Sequence, residues 1–375
     1  MIYTPDLSFA DFRILHARYS GGQPTCDRPV HVQRPERFVG LLSVIPLRLG
    51  TSPWDVSLLF RDQRSLNVAA RSLECTPEGT AGTFSHFVVP PADTIDCPVF
   101  IVGAPRAGTT LLFEILSQCA NVWTIGGESH EIIERRRRIP GPLGNRLQAL
   151  HAHPATRSVV IASFLSVLRD REQTLYVELG PSDRPRRVRL LEKTPKNSLR
   201  IPFLRAVFPN SRFIFIYREP KGNIGSLVDG WLAPNRFNSY RIGDMQWKFL
   251  LPPNWERLRK KNIVEISAAQ WKSANEFILN DLAEIPIADW CFLEYDCLVM
   301  EPEREIRRVC QFLSFEFDRR TKDYFVGNLP PSRSTLTPYQ PRKWERHQPA
   351  LATLLPSLDH VQKRIEKIRS TRSNN

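Results

Sequence analysis

The chain has 375 residues, of which 42% are hydrophobic and 24% are charged. This composition excludes a largely disordered chain, because it supplies enough apolar side chains for a soluble globular core, and the length suits one large α/β domain with additions. The 52 Lys and Arg residues outnumber the 39 Asp and Glu residues, giving a net charge of +13 that favours anionic ligands. The arginines are dispersed and no nucleic-acid-binding motif accompanies them, so we expect no nucleic-acid partner.

The cysteines and the apolar runs indicate the cellular compartment in which the chain is expected. Seven cysteines are odd in number, dispersed and without a C-x-x-C pair, which predicts reduced core thiols in place of a disulfide framework or a zinc site. The N-terminus has early acidic residues and no cleavable apolar core, and the longest mainly apolar run, residues 159–168, is about half a membrane span. We therefore expect a soluble, cytoplasmic protein with no transmembrane segment.

Residues 1–96 come first in the chain and carry no recognisable chemistry. Residues 8–18 predict a helix with Ser8 as its N-cap, and a Pro-rich passage follows. We interpret residues 1–96 as an N-terminal extension or small subdomain that adds burial. The main domain is expected over 97–350, with a C-terminal helix and basic tail over 351–375.

The next stretch, residues 99–113, predicts a buried strand that turns directly into a helix. Val99–Val102 is a β-branched and aromatic run, and apolar residues recur at helical spacing from Thr109 onward. At such a turn, successive backbone N–H groups and the positive end of the helix dipole bind phosphate or a similar anion. The alternative is an ordinary tight strand–helix turn.

The glycines of this turn, Gly103 and Gly108, have the spacing of a P-loop, but Thr109 stands where the P-loop lysine belongs. Without that lysine, the loop suits a 5′-phosphate or phosphosulfate better than a triphosphate. The backbone amides, the Arg106 guanidinium and the hydroxyls of Thr109 and Thr110 are its candidate ligands.

Glu128 opens a helical stretch after the break at Gly126 and Gly127. In an open parallel sheet, ligands lie beyond the carboxyl ends of the strands, and a carboxylate after the first helix can return to that edge. Glu128 is therefore a candidate general base. His130 is the alternative base, since imidazole titrates near neutrality; a solvated carboxylate or a surface histidine would be the non-functional interpretation of each.

Two further strand–turn–helix units follow the same plan. The strand predicted at residues 187–191 leads to Lys193, whose ammonium can neutralise charge on a departing oxygen at the same sheet edge. The strand predicted at residues 213–217 leads to Arg218, and Ser226 lies in the following helix. Arg218 and Ser226 can face one phosphate, although an exposed arginine and an uninvolved serine remain the alternative.

The remaining segments complete an alternation of strands and helices. A helix is predicted at residues 266–282, a strand at Trp290–Glu294 and a helix at residues 303–313. This order predicts a three-layer α/β sandwich with a central parallel sheet. The loop at residues 332–344 is rich in Ser, Thr and Arg.

Taken as a set, these motifs resemble those of sulfotransferases that use 3′-phosphoadenosine 5′-phosphosulfate (PAPS). They look most similar to the bacterial-type, tyrosylprotein-sulfotransferase-like branch, and the resemblance covers about residues 98–346. It implies a P-loop-like nucleotide-binding fold and sulfuryl transfer from PAPS without a metal, with adenosine 3′,5′-bisphosphate (PAP) as product. The motifs that carry it are PRAGTT at 105–110, EKTP at 192–195, and YREP at 217–220 followed by Ser226.

The resemblance implies a role for each matching residue. Glu128 aligns with the family's catalytic base, and Lys193 with the lysine that assists departure of the bridging oxygen. Arg218 and Ser226 would hold the 3′-phosphate, and Lys343 would belong to the segment that closes over the nucleotide. The residues implied to contact the phosphosulfate are those of the loop, Arg106, Ala107, Gly108, Thr109 and Thr110; Ala107 replaces a more usual hydroxyl residue, and Arg106 would also stabilise the departing phosphate.

Two other function classes compete with this interpretation. A P-loop kinase or NTPase would require a lysine at position 109 and an aspartate that places Mg²⁺ after an apolar strand. A non-catalytic binder of polyanions would show steep salt dependence and would not need the Arg218–Ser226 pair. We expect a small molecule, lipid or natural product as the acceptor, and the sequence predicts no particular oligomeric state.

Overall fold

The computed structural model describes residues 12–19, 46–48, 54–60, 93–134, 141–180, 182–324, 329–337, 340 and 342–373. The strands are β1 (Phe12–Tyr19), β2 (Pro46–Arg48), β3 (Trp54–Phe60), β4 (Val99–Val102), β5 (Val122–Trp123), β6 (Arg189–Lys193), β7 (Arg212–Tyr217), β8 (Asn238–Ile242), β9 (Met245–Lys248) and β10 (Trp290–Glu294). The α-helices are α1 (Thr109–Leu116), α2 (His130–Ile133), α3 (Pro154–Val167), α4 (Ile201–Val207), α5 (Pro220–Leu232), α6 (Ile263–Ala283), α7 (Tyr295–Met300), α8 (Pro302–Leu313), α9 (Arg319–Asp323), α10 (Gln348–Ala352) and α11 (Asp359–Ser373).

The chain divides into two compact units. The first combines Met1–Ile95 with His153–Arg187 and contains an antiparallel sheet of order β1-β3-β2. The helix predicted at residues 8–18 is wrong where the structure describes the chain, because β1 pairs with β3 from Phe12 to Tyr19. Pairing with a strand distant in sequence overrode the local helix signal; residues 8–11 lie outside the described part.

The second unit combines Asp96–Ala152 with Val188–Asn375 and contains a five-stranded parallel sheet of order β10-β7-β4-β6-β5. Helices cover both faces, so the predicted three-layer α/β class is confirmed. Alternate residues of each strand point to opposite faces. On one face, Ile101 and Ile214 join a core with α1 and α8; on the other, Phe100 packs against Phe208 and Tyr217 against Trp271 of α6.

Three of the central strands lie where the sequence predicted them. β4 and β10 have the predicted bounds, and β7 starts one residue early. β6 lies two residues later than predicted, so Lys193 is its last residue. The hairpin of β8 and β9 and the short β5 were not predicted.

In the part of the chain that the structure describes, no helix is both long enough and apolar enough to cross a bilayer.

We expect Gly103→Ala to destabilise the fold. Gly103 follows β4, and a Cβ there would lie 2.5 Å from the backbone carbonyl oxygen of Ile216 on β7. Relieving that clash must shift one strand, which typically costs about 1–3 kcal/mol of unfolding free energy. Urea unfolding measures the loss, with Gly127→Ala as the matched control because no atom lies within 4 Å of its added Cβ. Equal stability of the two variants would contradict the prediction.

Candidate active site

A cavity of about 470 Å³ lies at the carboxyl edge of the five-stranded sheet. Its walls come from the β4–α1 loop, the segment before α2, the β6–α4 turn, α5, the hairpin and the described residues between 329 and 344. This is the edge where parallel strands end, and ligands of open α/β sheets bind there.

The β4–α1 loop enters the cavity with an unusual backbone. Arg106 has a φ of +70° and Gly108 a φ of +102°, both in the left-handed region. A Cβ on Gly108 would collide with the ring of Tyr295, so the position requires glycine. Asn223 of α5 donates to the carbonyl oxygen of Pro105 at 2.8 Å. The loop is therefore held in one conformation, and Thr109 and Thr110, the first residues of α1, line the cavity.

Arg106 crosses from this loop to the C-terminal segment. Its Nε donates to Ser226 Oγ at 3.3 Å, and its Nη1 donates to the carbonyl oxygen of Ser334 at 2.6 Å. Arg218 Nη1 donates to the Arg106 carbonyl oxygen at 3.2 Å. Burial, and then the charge of Arg218, lowers the pKa of Arg106 to about 10. Two guanidinium groups that line one cavity favour an anion there.

Glu128 meets Lys193 at the end of β6. The Lys193 ammonium, on a side chain only 1% exposed, forms an ion pair with Glu128 Oε1. His130 Nε2 lies 2.8 Å from Glu128 Oε2. Burial alone would raise the pKa of Glu128, but the hydrogen bond from His130 and the charge of Lys193 lower it to about 2. Glu128 is thus ionised at neutral pH.

A second carboxylate, Glu134, gathers cations beside the first. Arg200 Nη2 lies 2.6 Å and Lys196 Nζ 3.0 Å from its Oε1, and the Tyr240 hydroxyl donates to Oε2 at 2.9 Å. Burial would raise the pKa of Glu134, but the imidazole of His130, 3.8 Å from the carboxylate, and the charge of Arg200 lower it. His130 lies between the two carboxylates, so its position depends on both.

Lys343 is held by an acidic side chain of α5. Its Nζ lies 3.0 Å from Asp229 Oδ2, and Arg346 and His347 pair with the other oxygen of the same carboxylate. The ring of Trp344 lies 5.0 Å from Lys221 Nζ. The segment carrying Lys343 is therefore docked on α5 at the rim of the cavity.

The structure brings most of the sequence-predicted residues to this one cavity. Two are buried and do not line it: Ala107, which packs in the core, and Lys193, which lies beneath Glu128. The predicted residues that line the cavity are Arg106, Gly108, Thr109, Thr110, Glu128, Arg218, Ser226 and Lys343, together with the alternative base His130.

Sequence reasoning missed several lining residues, among them Tyr295, Lys196 and Phe237. Tyr295 directly follows β10, so the same strand-end argument that selected Arg218 would have found it. Lys196 lies three residues after Lys193, directly after the EKTP motif at 192–195. Phe237 precedes the unpredicted hairpin, and the Arg106 guanidinium lies 4.7 Å from its ring centroid; no local signal marks it.

Comparison with known proteins gives a consistent result. The family model described as the sulfotransferase family matches residues 98–319. A putative protein-tyrosine sulfotransferase of Caenorhabditis briggsae is 23% identical over 225 residues, which are 59% of this chain and 67% of that protein. Protein-tyrosine sulfotransferase A of Caenorhabditis elegans is 22% identical over 226 residues, covering 59% of this chain and 50% of its own length.

A solved structure, the sulfotransferase domain from the curacin biosynthetic pathway, has 21% sequence identity and a TM-score of 0.39, covering 62% of this chain and 78% of that one. The match to the C. elegans relative spans about half of that protein.

We expect the Glu128 ion pair to give an acid-dependent stability. Its folded-state pKa of about 2 lies below the ordinary value of 4.5, so the contribution is present above pH 4.5 and is lost as the pH falls toward 2. The difference in unfolding free energy between the wild type and Glu128→Gln should therefore shrink across that window. Urea unfolding at stepped pH measures it, and a difference independent of pH would contradict the assignment.

Proposed function

Since the chain belongs to the sulfotransferase family, we propose that it transfers the sulfuryl group of PAPS to a hydroxyl or amine acceptor. One observation carries the proposal: a glycine loop without the P-loop lysine, the Arg218–Ser226 pair and an ionised carboxylate all border one cavity. The first would bind the 5′-phosphosulfate and the second the 3′-phosphate that distinguishes PAPS from ordinary adenylates. Release of PAP completes the reaction.

The residues at the cavity fit this donor. Arg106 and the hydroxyls of Thr109 and Thr110 would hold the phosphosulfate with the amides of the loop. Arg218 and Ser226 would hold the 3′-phosphate, and Lys343 would reach the nucleotide after leaving Asp229. PAPS supplies an activated sulfuryl group, and transfer is an in-line displacement in which positioning and charge stabilisation dominate.

In this mechanism Glu128 takes the proton of the acceptor. Lys193 and Arg106 stabilise the negative charge on the departing 5′-phosphate. Lys193 is paired with Glu128 in the structure, so it must leave the carboxylate to do this. Its departure removes a positive charge that lowers the pKa of Glu128, and the base becomes a better proton acceptor when the donor is bound.

We propose a hydroxylated small molecule, lipid or natural product as the acceptor, in the cytoplasm. The acceptor has to reach Glu128 in a cavity of about 470 Å³ that would also hold the donor, which favours a small acceptor group. A protein tyrosine is the alternative acceptor that the names of the two nematode relatives suggest.

A P-loop kinase is less well supported. Thr109 replaces the required lysine, and β7 ends in Tyr217 followed by Arg218, without an aspartate to hold Mg²⁺.

Calorimetric titration with PAP, and separately with ATP and Mg²⁺, tests the donor site. We expect PAP to bind without metal and Arg218→Ala to weaken it about 10- to 100-fold, the usual effect of losing a hydrogen bond to a charged group. Arg304→Ala, an exposed arginine of α8, should leave the affinity unchanged. Binding of ATP with Mg²⁺ but not of PAP would refute the sulfotransferase assignment.

Transfer assays with PAPS and an acceptor chosen by screening hydroxylated compounds test the catalytic roles. Glu128→Gln should abolish transfer while PAP still binds, because only the proton acceptor is lost. Lys193→Ala should lower kcat about 10²- to 10³-fold, more than it weakens PAP, as expected for a group that acts mainly in the transition state. Retained activity in Glu128→Gln would move the base to His130.

A further inference from the structure

Glu192 is a fully buried carboxylate that the proposed mechanism does not use. It lies in β6 immediately before Lys193, is 0% exposed and does not line the cavity. Three donors converge on it. Ser129 Oγ and Thr194 Oγ1 donate to its Oε1 at 2.7 and 2.5 Å, and Asn197 Nδ2 donates to its Oε2 at 2.6 Å.

Ser129, the residue after Glu128, is bonded through its side chain to β6 and through its backbone to the residue that follows β6. In addition to the bond from its hydroxyl to Glu192, its backbone N–H donates to Thr194 Oγ1 at 2.8 Å. Ser129 and Thr194 are both buried. These bonds fix the short loop before α2 on the end of the strand that carries Lys193. The fixed residue, Ser129, is the neighbour of Glu128, which pairs with Lys193.

A buried carboxylate with this many partners is costly to keep. Removing it from water raises the pKa of Glu192, and the hydroxyls of Thr194 and Ser129 oppose that rise. An apolar side chain of similar volume would avoid the desolvation cost. Glu192 is best explained by what its hydrogen bonds hold in place.

We propose that Glu192 is a positioning residue that fixes Glu128 against Lys193 and His130 through Ser129 and Thr194. The catalytic importance of this positioning rests on the proposed function, which assigns Glu128 as the base. The positioning itself does not rest on it, because the effect of Glu192 on the Glu128–His130 contact can be measured without any substrate.

The imidazole of His130 reports on that contact. His130 Nε2 lies 2.8 Å from Glu128 Oε2, and Glu134 and Lys196 are the other charged groups that face it. Burial alone would lower the pKa of His130, but the hydrogen bond to Glu128 and the carboxylate of Glu134, 3.8 Å from Nδ1, raise it above the ordinary 6.5. Displacing Glu128 should therefore lower the pKa of His130.

The test is NMR titration of the histidine rings in the full chain, with His130→Asn identifying the signal among the eight histidines. Glu128→Gln gives the pKa of His130 without the carboxylate charge. We expect Glu192→Ala and Thr194→Val to lower the pKa of His130 toward that reference. Glu192→Gln should stay nearer the wild type, because its amide oxygen can still accept from the two hydroxyls.

Glu305→Gln is the matched control, because Glu305 is a buried carboxylate on α8 that pairs with Arg308 and does not line the cavity. It should leave the pKa of His130 unchanged. PAP affinity, measured by calorimetry, should be unchanged in every Glu192 and Thr194 variant. If Glu192→Ala fails to fold, Thr194→Val carries the test, since it removes one hydroxyl and keeps the side-chain shape.

Two outcomes would overturn the inference. One is a wild-type pKa of His130 in both Glu192→Ala and Thr194→Val. The other is a loss of PAP affinity in the same variants that lower the pKa of His130, which would indicate that the whole site is disrupted. Failure of the wild type to bind PAP would refute the proposed function instead, and the His130 titration would still decide whether Glu192 positions Glu128.

Discussion

The ion pair of Lys193 and Glu128 ties the central sheet to the site beside it. A buried ammonium at the end of a strand is tolerated only when a counter-charge satisfies it, because desolvation of an unpaired charge costs several kcal/mol. Glu128 supplies that charge from a separate segment, the one that follows β5. The pairing of Lys193 therefore brings a carboxylate to the carboxyl edge of the sheet and keeps it ionised.

Two further carboxylates, Glu192 and Glu134, hold other side chains in the same region. Glu192 lies within β6 and accepts from the hydroxyl of Ser129, the residue after Glu128, whereas Glu134 follows α2 and pairs with Arg200, Lys196 and Tyr240. His130 lies between Glu128 and Glu134. Charges placed this closely are coupled, so a change in the partner of one group alters the proton affinity of its neighbours.

At the β4–α1 loop, the geometry is set by backbone conformation. Arg106 and Gly108 adopt positive φ angles, and such conformations persist only where surrounding contacts enforce them. The hydrogen bonds from Asn223 and Arg218 to loop carbonyls supply those contacts. A loop fixed before the ligand arrives loses little entropy on binding, which suits a site that recognises anions through oriented amides.

The sequence by itself determined the α/β class, three of the central strands and the cluster of candidate residues at their ends. These are local signals: β4 is a short apolar run, Gly103 and Gly108 mark the tight turn, and parallel strands all end at one edge of the sheet. From that rule alone, Arg218 and Glu128 could be placed at the same edge of the sheet.

Only the tertiary structure decided which groups touch. That Lys193 is buried under Glu128, that Lys343 is held by Asp229 and that Glu192 anchors Ser129 depend on side chains distant in the sequence. The strand β1 was misjudged for the same reason, since its pairing with β3 has no counterpart in local periodicity. Spacing along a chain fixes the direction in which a residue points, whereas its partner, its burial and its pKa are set by what the rest of the fold packs against it.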